Sequence, residues 1–273
     1  MGAVVFLCCF VLHAQPGGLP LPFTTSTASV DSLMQVGEEL YYNVSYGGFN
    51  IGQLHFVIAS KVASDSGLYY IVHGFIDSYK GVPFVNVHTV YEDHISDKLY
   101  SAWFFARTKK GNKWATATYR FNYPARKLVI ERGLWKGTAP VRLDTIAIDT
   151  FYQDGLSLLY AARALLVPGA HYRIPSYVSE NSGYTTIDVL EKPEHESIDA
   201  VDYPVSLIHF KGEAGFIGVF GFQGEFDGWF SNDSARVPVI AQLKVLIGSV
   251  RVELMKWKRA GWNPPKYTEG KEQ

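Results

Sequence analysis

Trp229-Phe-Ser-Asn-Asp233, Arg236-Val-Pro238-Val and Gly248-Ser-Val-Arg-Val-Glu-Leu254 read together as strand, turn and strand. Phe226 to Phe230 alternates in polarity, and Ser231-Asn-Asp-Ser234 is a run of turn formers whose side chains bond their own backbone. Val237 to Leu246 and Ser249 to Lys256 then alternate again, with Gly248 between them. A half-buried strand has a side-chain period of two, so this stretch predicts antiparallel pairing.

The same signature recurs upstream. Glu39 to Tyr46 and Ile51 to Ser60 flank Gly47-Gly48-Phe49-Asn50, where glycine permits the positive φ of a tight hairpin. Further strands are predicted at Leu68 to Ser78, Phe84 to Asp93, Tyr100 to Lys109, Trp114 to Tyr123, Lys127 to Glu131, His171 to Val178, Thr185 to Leu190 and Val205 to Lys211. About a dozen strands are many for one open sheet. The expectation is an all-β fold, an antiparallel meander forming a closed or half-open barrel. The exception is Asp154 to Arg163. There Asp154 is placed to cap backbone amides, and Leu156, Leu159, Tyr160 and Arg163 share one helical stripe. This one short helix is expected to pack on or in the barrel, with Pro168-Gly169 ending it.

Residues 1–14 contain an apolar run from Ala3 to Leu12 and the segment Leu12-His13-Ala14, which reads as a secretory signal peptide although no Lys or Arg precedes it. The run is half the roughly 20 residues of a membrane-spanning helix. The mature chain is therefore expected to be exported, periplasmic or outer-membrane associated, without a transmembrane helix. Residues 15–33, rich in Pro, Gly, Ser and Thr, read as a flexible spacer. Residues 34–258 form a single β domain, and 259–273, opened by Pro264-Pro265, read as a disordered tail. Both cysteines, Cys8 and Cys9, lie in the leader, so no disulfide is expected. With 25 basic and 26 acidic residues and no block of one sign, the chain lacks the electrostatic footprint of nucleic-acid binding.

Reading Val36-Gly-Glu-Glu-Leu-Tyr-Tyr42, Tyr46-Gly47, Ile51-Gly52, Asp154 to Arg163, Trp229 to Pro238 and Gly248 to Leu254 in order, the chain resembles the DUF3108 family of exported bacterial proteins over residues 36 to 257. The function of that family is unknown. The resemblance implies an envelope-located, largely antiparallel β protein, looking like the half-barrels of periplasmic lipoprotein carriers, and it brings no catalytic residues. The Gly-rich stretch at 212–224 departs from it.

Candidate chemistry is sparse. His88, Glu92 and His94 share a strand face, but the two histidines stand about 20 Å apart at roughly 3.3 Å per residue, too far for one ion. The reading preferred is the solvent side of a strand. His195 lies in a polar connector without the spacing of a zinc helix. Asp227 and Asp233 form a conceivable acid/base pair for glycan cleavage, and Ser231 to Ser234 is equally an ordinary strand-ending turn. Gly212, Gly215, Gly218, Gly221 and Gly224 recur every third residue among phenylalanines. Two readings follow: a bent strand pair relieved of crowding, or a mobile apolar lip.

No cofactor, metal or enzymatic activity is expected. The expected function is non-catalytic binding of a lipid or other apolar envelope component, in a pocket lined by Tyr42, Phe56, Phe104, Trp114, Leu159, Phe216, Phe220 and Trp229. The alternatives are a structural scaffold with an envelope protein partner and an envelope glycan hydrolase.

Overall fold

The computed structural model describes residues 29–65, 67–82, 86–137, 140–216, 224–245 and 248–269. The chain enters through a short helix, α1 (Val30–Leu33), and then runs a meander of eight strands. These are β1 (Glu39–Tyr46), β2 (Phe49–Ser64), β3 (Gly67–Ser78), β4 (His88–Ser96), β5 (Ser101–Lys110), β6 (Lys113–Asn122), β7 (Lys127–Leu134) and β8 (Arg142–Ala147). Helix α2 (Ser157–Ala164) follows. The second half contains β9 (His171–Val178), β10 (Asn181–Val189), β11 (Glu194–Glu196), β12 (Val205–Ala214), β13 (Gly224–Ser231), β14 (Pro238–Lys244) and β15 (Ser249–Lys258).

All these strands belong to one antiparallel sheet in the order β8-β7-β6-β5-β4-β3-β2-β1-β15-β14-β13-β12-β10-β9, with β11 added beside β12. The two halves are joined where first strand meets last: Glu39 pairs with Lys258 and Tyr46 with Val250. The free edges are β8 and β9. Among the described residues no ladder joins them. Instead Gln153 runs along β9, donating its amide to the Pro175 carbonyl at 2.9 Å and accepting from Tyr177 N–H at 2.7 Å. The barrel is thus half open.

Its curvature has local causes. The β1–β2 turn places Gly47 at φ 57° and Gly48 at φ 84°, the left-handed pair that matches the twist of a two-residue hairpin. Bulges at Tyr41/Tyr42, Val44/Ser45, Ile58/Ser60, His94/Ile95 and Trp229/Phe230 bend the strands that carry them.

Helix α2 lies inside this wall. Asp154 precedes it, accepting from the amides of Leu156 (2.7 Å) and Ser157 (3.1 Å), as its capping role predicts. The expected single apolar stripe is an underestimate: Ser157, Tyr160, Ala161, Ala162, Arg163 and Ala164 are all buried, the pattern of a helix enclosed on every side.

Both ends of the folded body extend beyond their expected limits. Ser29 caps α1 and Leu33 is fully buried, so the last residues of the expected spacer belong to the fold. The expected disordered tail is ordered as far as the described residues reach. Trp262 is buried, donates to Asp233 at 2.7 Å and meets Trp257 edge-on. Further along, Ser206 N–H bonds the Pro265 carbonyl at 2.7 Å and Tyr267 N–H the Pro204 carbonyl at 2.8 Å. Buried indole area and these backbone bonds outweigh the polar composition that suggested disorder. The leader, 1–14, lies outside the described residues.

Candidate functional site

Alternating strand directions put two kinds of loop at two ends of the barrel. At one end, here the base, α1, the start of α2 and the C-terminal strip close the interior. At the other, the mouth, lie the turns β1–β2, β3–β4, β5–β6, β7–β8, β9–β10, β12–β13 and β14–β15. A cavity of about 640 Å³ occupies the mouth half. Its floor is α2, through Leu158, Leu159 and Ala162. Its walls come from Tyr91, Phe104, Ala106, Ala117 and Tyr119 on one side and Ile187, Phe210, Phe226, Phe230 and Leu243 on the other. Exposed Lys110, Ser179 and Glu180 mark where it reaches solvent.

Two glycine notches shape the second wall. Gly228 pairs with Phe210 and Gly212 with Phe226 across β12–β13. A Cβ on Gly228 would stand 2.3 Å from Phe210 Cζ, and one on Gly212 would stand 2.4 Å from Phe226 Cζ and 2.7 Å from the Thr186 carbonyl. Each phenyl ring therefore lies across its glycine, and glycine is what the close approach requires. Of the two readings of the glycine repeat, relief of strand crowding describes Gly212. Gly218 and Gly221 lie outside the described residues, as does Phe220.

Of the expected pocket residues, Phe104, Leu159 and Phe216 line the cavity. Tyr42 and Phe56 face the interior but sit in the filled base, their rings 5.8 Å apart, with Tyr42 donating to the Pro238 carbonyl at 2.9 Å. Trp114 and Trp229 point to the outer face. Trp114 lies beneath the Arg107 guanidinium at 5.1 Å, and Trp229 stacks on His209 at 4.3 Å. The inward positions of β13 are Phe226, Gly228 and Phe230, so Trp229 falls on the wrong side of the two-residue period.

Most polar groups in the lining satisfy one another. Thr89 bonds Thr108 at 3.2 Å, Thr185 meets Ser176 at 3.1 Å, and the Glu180 carboxylate is held by Arg132. The Tyr91 hydroxyl is different: burial, with the nearby Asp154 charge, pushes its pKa up to about 12. It is a neutral donor facing a largely apolar space.

Beneath the floor the interior is charged and closed. The fully buried Arg163 grips both oxygens of Glu38, at 2.7 and 3.0 Å, and donates to the Ala235 carbonyl at 2.8 Å. Arg259 closes the same carboxylate from the other side and also reaches the Ser32 carbonyl. Asp93 and Asp154 are completely buried together at the start of α2. Burial, reinforced by Asp154, raises the Asp93 pKa well above its ordinary value, and burial raises that of Asp154 too.

The outer face carries the remaining titratable groups. His209, absent from the sequence reading, is held by Asp227 at 2.8 Å through Nε2. The Glu194 carboxylate lies 3.0 Å from its Nδ1, outside hydrogen-bond alignment. Glu194 also accepts from the Trp229 indole at 3.1 Å. Burial works to raise the Glu194 pKa, but the bond from Trp229 and the proximity of His209 outweigh it and hold the group low. This arrangement clamps an imidazole against the wall. Asp233 is a turn residue, accepting from Ala235 N–H, Arg236 N–H and Ser231 Oγ. His88 pairs with Asp77 at 2.8 Å while His94 and His73 share Glu92, so the strand-face histidines do not converge. His195 stands on β11, not in a connector, and stacks on Tyr267 at 4.1 Å.

A family model described as a protein of unknown function, DUF3108, matches residues 41–255. The chain belongs to the DUF3108 family. The match covers nearly the whole span over which the sequence resembles that family. In structure the DUF3108 chain is similar to a β-barrel-like protein of the DUF1849 family from Brucella abortus, at TM-score 0.49 and 11% identity, covering 82% of this chain and 97% of that one. A putative exported protein with a YmcC-like fold from Bacteroides fragilis aligns at TM-score 0.34 and 11% identity, with the same coverage. No curated protein matches the DUF3108 sequence. No helix among the described residues is long and apolar enough to cross a membrane.

Proposed function

We propose that this DUF3108 protein is an exported, non-catalytic binding protein that takes an apolar envelope component, foremost a lipid chain, into the cavity above α2. The observation that carries the reading is the cavity itself: about 640 Å³ bounded by aliphatic and aromatic side chains from both halves of the sheet. Small-molecule sites run from about 300 to 1,000 Å³, and an apolar void far smaller, about 150 Å³, stays dry and takes up benzene. The leader at residues 1–14 supports export into the periplasm or to the outer membrane. Tyr91 supplies one neutral hydrogen bond for a polar end of the guest.

The test is binding of cis-parinaric acid by the mature chain, read by its fluorescence, beside native mass spectrometry of protein taken from the envelope. Saturable binding near one per chain, lost in Ala106→Phe, supports the reading. Undiminished binding by that variant moves the site elsewhere, and no binding together with an empty native protein removes the reading in favour of a scaffold. Tyr91→Phe should weaken the probe several-fold without abolishing it, since a single hydrogen bond contributes about 0.5–1.5 kcal/mol.

A further inference from the structure

The side chains exposed at the mouth differ from those elsewhere on the molecule. Most of the large apolar residues that stand in solvent belong to the mouth turns or the strand ends beside them: Phe49 at 78% exposure, Val141 at 76%, Leu143 at 59%, Trp135 at 45%, Tyr184 at 43% and Tyr79 at 36%. They sit on four different hairpins that the barrel gathers at one end. Five lysines are interspersed with them: Lys80, Lys109, Lys110, Lys113 and Lys136. None has a carboxylate partner among the described residues. Among the described residues the acids of the mouth are held, Glu180 and Asp144 by Arg132, Glu225 by Lys244 and Asp77 by His88, which leaves Glu213 as the exposed carboxylate without an ion pair there. At the base, by contrast, signs are mixed, with Asp97 beside Lys98 and Glu191 beside Lys192.

Aromatic rings at the water boundary with unpaired lysines among them are the features that hold a protein on an anionic bilayer. The rings enter the headgroup layer, and each cation gains from the negative surface potential. Trp135 and Tyr184 each carry an arginine over one face, Arg107 and Arg173, but Phe49 and Val141 stand about three-quarters exposed, and the five lysines make no ion pair among the described residues.

We propose that the mouth is a docking surface for an anionic lipid bilayer, set so that the apolar cavity opens toward the membrane. The surface stands on its own residues. Only its use in passing a guest between membrane and cavity rests on the function proposed above.

The experiment is co-sedimentation of the mature chain with vesicles of pure phosphatidylcholine and of phosphatidylcholine containing phosphatidylglycerol, at low and high salt. Binding is expected to the anionic vesicles, weakened by salt and falling about fivefold for each lysine replaced by glutamine in the series Lys80, Lys109, Lys110, Lys113 and Lys136. Phe49→Ser with Trp135→Ser should lower binding to both vesicle types at unchanged circular dichroism. Equal, salt-independent binding of all variants, or none by the parent, overturns the proposal. A concentration-dependent dimer in sedimentation velocity that the Phe49/Trp135 variant abolishes, with no vesicle binding, assigns the surface to a second copy instead. Parinaric acid binding that survives the lysine replacements separates failure of the docking surface from failure of the cavity reading.

Discussion

The two ends of this barrel are built from the same strands and differ in how they end. At the base the interior is filled by side chains, locked by Arg163, Glu38 and Arg259, and covered by chain from both termini. At the mouth the same inward positions surround empty space, and the turns carry exposed aromatics and unpaired lysines. The contrast teaches that folding and function are separated along the strand axis: the base holds the sheet together, which leaves the mouth free to stay open.

The contrast breaks most severely at Arg163. Replacing it by alanine leaves Glu38 buried with only Arg259, and the expected cost is about 3–5 kcal/mol, checked by urea denaturation. Loss well under this range would mean that the base is not the stabilising end. Gly212→Ala comes next, at about 1–3 kcal/mol, because the new Cβ meets the Thr186 carbonyl as well as a ring and backbone yields less readily than a side chain.

Asp93 sharpens the comparison in the opposite direction. Its folded pKa is raised by burial and by Asp154, so the folded state holds the proton more tightly than the unfolded chain. Its contribution to stability is then fully present below the unfolded value near 3.8 and lost as pH rises toward the folded value. Asparagine loses nothing over that range. Asp93→Asn should therefore melt higher than the parent at pH 7, with the gap closing below about pH 4. A parent that is the more stable at neutral pH would show that the carboxylate is charged and needed.

The smallest effect on stability is expected at the mouth. In Gly228→Ala the clashing atoms belong to the far end of the Phe210 ring, which has the cavity to move into. The change should cost less than Gly212→Ala yet displace more parinaric acid, a reversal of rank that a filled mouth would not produce.

Much of this architecture was legible in the residues. The thirteen strands expected between Glu39 and Lys256 have counterparts close to their expected places, with β8 and β11 the two that were not expected, and the Asp154 carboxylate accepts from the first amides of α2. The candidate site was less so. Phe104 and Phe216 line the cavity while Tyr42 and Phe56 lie in the filled base, because alternation reports which face a side chain takes and not how far along the barrel axis it stands. Trp114 and Trp229, expected in the pocket from alternation and aromaticity, lie on the outer parity of their strands. Tyr91 and His209 gave no local signal beyond their residue type, since each takes its character from neighbours on other strands.

By itself, then, the sequence determined most of the strands, their tight turns and helix α2, since two-residue alternation, glycine at positive φ and an Asp at the helix start all act within a few residues. Only the tertiary structure decided that β1 meets β15, that Arg163 reaches Glu38 125 positions away, and that the space above α2 stays empty while the space below it is filled. Those outcomes depend on how distant surfaces fit together, and no local pattern of residues records the volume left between them.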